Sequence, residues 1–116
     1  MRFPGGSSNT VSAKYCKGIM KKLTGQVQSK GFSYFDWNVD SGDANGNNVP
    51  ASKLVSNVLR ESNGVKNICI LMHDAPAKKT TVQALPTIIK ELRNRGYKFE
   101  TLSSSSPGFH HSHVSN

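Results

Sequence analysis

The chain is 116 residues long, 35% of them apolar, and carries 15 Lys and Arg against 7 Asp and Glu for a net charge of +8. That length holds one domain or part of one, with a core burying roughly two thirds of the surface that the unfolded chain exposes. No apolar run approaches the roughly 20 residues of a membrane-spanning helix, and the polar, glycine-rich opening lacks the charged start and apolar middle of a signal peptide, so no membrane partner is expected. The positive charge suits an anionic partner such as nucleic acid, a cell-wall polymer or acidic lipid. The lysines, however, are scattered along helical segments without interleaved aromatics, so a solvated basic surface is the simpler account and no nucleic-acid partner is expected.

The chain opens with a loop, MRFPGGSSN. From Val11 to Ser29 the pattern is helical: Tyr15, Ile19, Leu23 and Val27 recur every four residues, with Ser12 as N-cap and Gly31 as the stop. Phe32 to Val39, FSYFDWNV, is rich in aromatics and reads as a strand, and Ser41 to Asn48 is turn chemistry throughout. Pro50 opens a second helix with Leu54, Val55, Val58 and Leu59 on its inner face, ended by Asn63 and Gly64. Asn67 to His73, NICILMH, reads as a strand buried on both faces of a parallel sheet.

A third helix is expected from Thr80 to Arg95, with Val82, Leu85, Ile88, Ile89 and Leu92 inward and Pro86 fitting only near a first turn or at a kink. Gly96 stops it and YKFETL makes a last short strand. Residues 103–116 read as a flexible tail. Cys16 and Cys69 sit among apolar neighbours without paired-ligand spacing, and both are expected to be buried thiols.

Strands alternating with helices imply an α/β fold of parallel βαβ units, whose functional residues gather at the C-terminal ends of the strands. Three polar clusters fall there: Arg2 with its glycine loop, the group Asp36, Asp40 and Asp43 around Trp37, and His73 with Asp74. Adjacent parallel strands would bring one of those carboxylates to His73, and an imidazole held by a carboxylate in one tautomer serves as a general acid or base. The ordinary alternative is a capping Asp, with a His satisfied by backbone and Asp43 and Asn45 as turn residues.

RFPGG, DWNVDSGDA and ILMHD, in that order, followed by TVQALPTIIKELRNRGYKF, resemble the second half of a polysaccharide deacetylase domain, from Arg2 to about Leu102. That family comprises metal-dependent carbohydrate esterases that remove N-acetyl groups from peptidoglycan or chitin. The resemblance implies the C-terminal half of a distorted (β/α) barrel over residues 1–102. It implies that Arg2 orients the catalytic carboxylate, that Pro4 and Trp37 line the groove, that Leu71 borders the acetyl methyl, and that His73 is the general acid. Asp43 matches the position of the Asp that tethers this His, with Asp40 as second choice; where the family often has Trp after the tether, Ala44 stands here.

The family's paired Asp residues and its His-x-x-x-His ligands precede the Arg-x-Pro loop at which this chain opens. The resemblance therefore implies that zinc or a similar divalent metal belongs to the complete domain and that no metal ligand lies in this chain. The expectation is a fragment of an enzyme hydrolysing the acetamide C–N bonds of an N-acetylglucosamine polymer, inactive alone, that associates with a second copy or a complementary N-terminal half. A non-enzymatic glycan-binding module or an inactive remnant is the alternative. The full-length family is extracellular or bound to the cell envelope. His110, His111 and His113 of the tail could chelate a metal only loosely, without the outer contacts that fix a true site.

Overall fold

A computed structural model describes residues 1–114, which divide between two units: Met1–Trp37 with the chain from Thr101 onward, and Asn38–Glu100.

In the first unit the expected helix from Val11 is interrupted. A 3₁₀ turn covers Val11–Lys14, and α1 spans Ile19–Ser29. The break is at Gly18, whose φ of 81° lies in the left-handed region that L side chains avoid. Ser12 is not the cap: its hydroxyl donates to the Asn9 carbonyl, while the Asn9 side chain accepts the Val11 N–H at 2.8 Å. Tyr15 and Cys16, both expected inside, are exposed because they lie on the irregular stretch before α1. The C-terminal stop is as read. Gly31 N–H bonds to Gln28 and Phe32 N–H to Val27, the two bonds of a Schellman motif. The core of this unit is Phe3, Met20 and Tyr34, backed by Ile19, Leu23, Val27 and Val114.

The expected strand from Phe32 is extended chain without a ladder over most of its length. Its polar groups go to the two ends of the chain: Met1 N donates to Ser33 O, Phe35 N to Met1 O, and Asp36 N to Phe109 O.

In the second unit β1 (Val39–Asp40) pairs in parallel with β2 (Ile70–Leu71), with Val39 opposite Ile70 and Asp40 opposite Leu71. Between them runs α2 (Ala51–Ser62), completing one βαβ unit. The strand expected over Asn67–His73 is thus a two-residue ladder, and Ile70 and Leu71 are half-buried rather than covered on both faces. No strand forms over residues 97–102. Tyr97 instead packs on the core, and its hydroxyl reaches the carbonyls of Ser62 and Val65.

α3 (Lys79–Asn94) continues across Pro86, which lies inside it, and ends in a second Schellman pair, Gly96 N–H to Arg93 and Tyr97 N–H to Leu92. Its buried stripe is Thr81, Ala84, Ile88 and Leu92; Val82 and Leu85, expected inside, are 67% and 41% exposed. The face is set by what α3 meets: α2 through Leu54 and Val58, β1 through Val39, and a carboxylate at its first turn.

Each fully buried Leu, Ile or Val of this cluster contributes about 1.5–3 kcal/mol of transfer free energy. Leu92→Ala and Ile88→Ala should each lower stability by about 2–5 kcal/mol in urea unfolding. Leu85→Ala, on the exposed side of the same helix, should stay within about 0.5 kcal/mol of the parent. Equal losses at Leu85 and Leu92 would show that the helix buries the other face.

Candidate functional site

The polar end of the second unit is built around one carboxylate. β1 ends at Asp40, whose side chain accepts the N–H of Gly42 at 2.8 Å. Gly42 has a φ of 79°, which favours glycine, and a Cβ there would lie 2.8 Å from Asn57 Nδ2 and displace that amide. The Ser41 hydroxyl donates to the Leu71 carbonyl at 2.8 Å, which ties the turn to the end of β2. A 3₁₀ turn, Asp43–Asn45, then places the Asp43 side chain inside, 2% exposed.

Asp43 Oδ1 lies 2.8 Å from His73 Nδ1, and Asp43 Oδ2 accepts the His73 backbone N–H at 2.7 Å and the Thr81 hydroxyl at 3.0 Å. An ionised carboxylate only accepts, so Nδ1 carries the ring hydrogen and Nε2 is the nitrogen left for another partner. The His73 side chain is 43% exposed, so the pair has a dry end and a wet end. Burial alone would push the Asp43 carboxyl up. The His73 ring, the His73 N–H, the Thr81 hydroxyl and the charge of His73 together hold it below the usual carboxylate range. Lys78 Nζ donates to the carbonyls of Asp43 and Gly46 at 2.7 and 2.8 Å, pinning the turn from its backbone side.

The first unit holds a second buried carboxylate, Asp36, 0% exposed. It accepts the Ser7 N–H at 2.7 Å, the Ser7 hydroxyl at 2.5 Å and the His111 N–H at 2.9 Å. Burial opposes its ionisation, but the Ser7 hydroxyl, the two N–H groups and the charge of His111 keep it below its ordinary value. Arg2 donates to the carbonyls of Phe35 and Asp36 and lies over the Trp37 ring, 5.7 Å from its centroid. His111 stands edge-on to Trp37 with Nδ1 2.7 Å from the Ser8 hydroxyl, and His110 stacks on Tyr34.

Of the residues singled out from sequence, the second unit brings together Asp43, His73 and, two residues before it, Leu71. Asp40 caps its own turn. Arg2 and Trp37 meet in the first unit, where exposed Pro4 offers its carbonyl to Asn9. Among the described residues no group of three His, Cys, Asp or Glu side chains could hold a metal ion, so this donor set does not fit a hydrolytic metal centre. Sequence reasoning passed over Thr81, Lys78, Ser41 and the Ser7–Asp36–His111 cluster. The signals were slight: two threonines and a lysine at the start of an apolar-striped helix, and an Asp beside the single Trp.

No family model matches the chain. It is 34% identical over 116 residues to YheN of Bacillus subtilis, a protein named as a polysaccharide deacetylase, over 95% of this chain and 36% of that one. It is 34% identical over 93 residues to the peptidoglycan-N-acetylglucosamine deacetylase of Bacillus cereus, over 77% of this chain and 33% of that protein. Among solved structures, it matches the catalytic domain of a peptidoglycan N-acetylglucosamine deacetylase from Eubacterium rectale with a TM-score of 0.92 and 44% identity, over 100% of this chain and 51% of that one. The chain therefore spans about a third of the curated relatives and about half of that catalytic domain. The fold is α/β, with parallel βαβ units forming part of a distorted (β/α) barrel.

Both buried carboxylates ionise more readily folded than unfolded. Such groups stabilise the fold above the unfolded carboxyl value of about 3.9, and that contribution is lost as pH falls through the lower folded value. Stability should therefore be level above about pH 5 and fall from about pH 4 downward. Asp36→Asn and Asp43→Asn should be less stable at neutral pH and flatter in acid. Thermal melts between pH 2 and 7 read this; parental acid slopes in both variants would place the acid sensitivity elsewhere.

Proposed function

We propose, from the premise that the chain belongs to the polysaccharide deacetylase family, that it carries the proton-donating part of a site for N-deacetylation of an N-acetylglucosamine polymer. The observation that carries this reading is the 2.8 Å contact between the exposed His73 ring and the buried Asp43 carboxylate. Hydrolysis of an acetamide needs a proton on the leaving nitrogen as the C–N bond breaks. Protonated His73 supplies it from Nε2, while Asp43, bonded at Nδ1, holds the ring in one tautomer and one orientation and stays ionised. Asp43 is thus a positioning residue and His73 the group that meets the substrate.

In this reading Leu71, two residues before His73, borders the acetyl methyl, Pro4 and Trp37 keep the groove-lining roles that the resemblance assigns, and Arg2 orients the catalytic carboxylate. A divalent metal, where the family domain binds one, would supply an acidified water; the proton transfer from His73 does not run through it. The substrate class follows the relatives whose names specify peptidoglycan N-acetylglucosamine; on this reading the working enzyme acts at the cell envelope. The chain works by joining the complementary part of the domain.

The test is acetate release from N-acetylglucosamine oligomers by the chain combined with the remaining segment of a family domain. Turnover should appear in the combination and be absent from the chain alone. His73→Ala should lower kcat by about 10²–10⁴, the usual contribution of a positioned general acid. Turnover indifferent to His73 would remove it from the mechanism.

A further inference from the structure

Asp43 receives three donors, and two belong to the residue it positions, the ring and the backbone N–H of His73. The third is the hydroxyl of Thr81, 3.0 Å from Oδ2, on a residue only 7% exposed. We propose that Thr81 is a positioning residue for the Asp43–His73 pair: its hydroxyl fixes the rotation of the carboxylate and thereby the tautomer and direction of the imidazole. This rests on the reading of His73 as the proton donor.

The torsion that turns a carboxylate about its Cβ–Cγ bond is broad and has no sharp staggered wells. One bond to Oδ2, from the His73 N–H, leaves a hinge about which the group can swing. A second bond to the same oxygen, arriving from another element, fixes the plane and leaves Oδ1 aimed at Nδ1. The helix start shows the same commitment. Thr81 is the third residue of α3, past the position from which a side chain caps a helix. The hydroxyl is directed to Asp43. Lys78, in the cap position, likewise spends its ammonium on the carbonyls of Asp43 and Gly46.

The experiment reads the His73 ring directly, in the chain as it stands, by two-bond ¹⁵N–¹H correlation of ¹⁵N-histidine-labelled protein at a pH where the ring is neutral. The parent should show the Nδ1–H tautomer in large excess. Thr81→Val keeps the shape and removes the hydroxyl; it should lower the ratio of Nδ1–H to Nε2–H by about tenfold, the factor of one hydrogen bond to a charged group. Thr81→Ser should restore the parental ratio, and Thr80→Val, one residue away, should leave it unchanged. In the parent itself, the Thr81 hydroxyl proton should exchange slowly enough to be seen. That measurement stands even if Thr81→Val does not fold. A parental ratio in folded Thr81→Val, or a rapidly exchanging Thr81 hydroxyl in the parent, overturns the proposal and leaves the proton-donor reading intact. An even mixture of tautomers in the parent overturns the Asp43–His73 pair itself.

Discussion

A carboxylate taken out of water loses hydration worth several kcal/mol, and it persists as an ion only where donors replace that hydration. Asp43 meets this condition with the ring and N–H of His73 and the Thr81 hydroxyl. Those donors come from the end of β2 and the start of α3, while the acceptor stands on the turn after β1. Three separate pieces of chain are therefore tied to one side chain. The geometry of the turn follows from that demand: the left-handed Gly42, the Asp40 cap and the Lys78 clamp all serve to bring Asp43 inward.

Asp36 repeats the arrangement in the first unit with different partners. Its donors come from the glycine loop through Ser7 and from the C-terminal segment through His111. Arg2, which the resemblance makes the orienter of the catalytic carboxylate, donates to neutral carbonyls of Phe35 and Asp36 and lies over Trp37. The carboxylate next to Trp37 is thus engaged by serine and backbone N–H groups, and its work is to hold the glycine loop and the end of the chain in place. Tyr34 feels it as well: burial, and then the negative charge of Asp36, push the phenol above its ordinary value.

The parts of this fold that were legible in the sequence are those with a local cause. Gly31 and Gly96 end helices because the chain after a regular apolar pattern needs a Schellman turn. The face of α2 is carried by Leu54 and Val58, which recur at the helical period. That a carboxylate of the turn meets His73 was legible from the order of elements, since a βαβ unit sets the ends of two neighbouring parallel strands on one side; the choice of Asp43 over Asp40 came from the family resemblance. What was not legible depends on partners distant in sequence. Gly18 breaks a helix whose apolar stripe runs on through it. The strands are shorter than their apolar runs because ladder length is set by pairing. The partners of the tail histidines, Asp36, Tyr34 and Ser8, leave no periodic trace in a segment rich in serine and histidine.

The face that α3 buries shows how a polar contact can decide a packing choice. Turning this helix by one residue, about 100°, would exchange Ile88 and Leu92 for Val82, Leu85 and Ile89 at the core. Large aliphatic side chains contribute about 1.5–3 kcal/mol each when fully buried, so Val82, Leu85 and Ile89 could supply much of the same burial, but that turn would also bring Arg93 to the place of Leu92. The same turn would carry the Thr81 hydroxyl away from Asp43 and leave a buried carboxylate short of a donor, a loss of about 1–3 kcal/mol or more for a charged group. The observed face keeps Thr81 on Asp43 and leaves Val82 and Leu85 in solvent. Hydrophobic periodicity could identify α3 as amphipathic; its rotation about its own axis depends on what it meets, the apolar core of α2 and β1 and the carboxylate at its first turn.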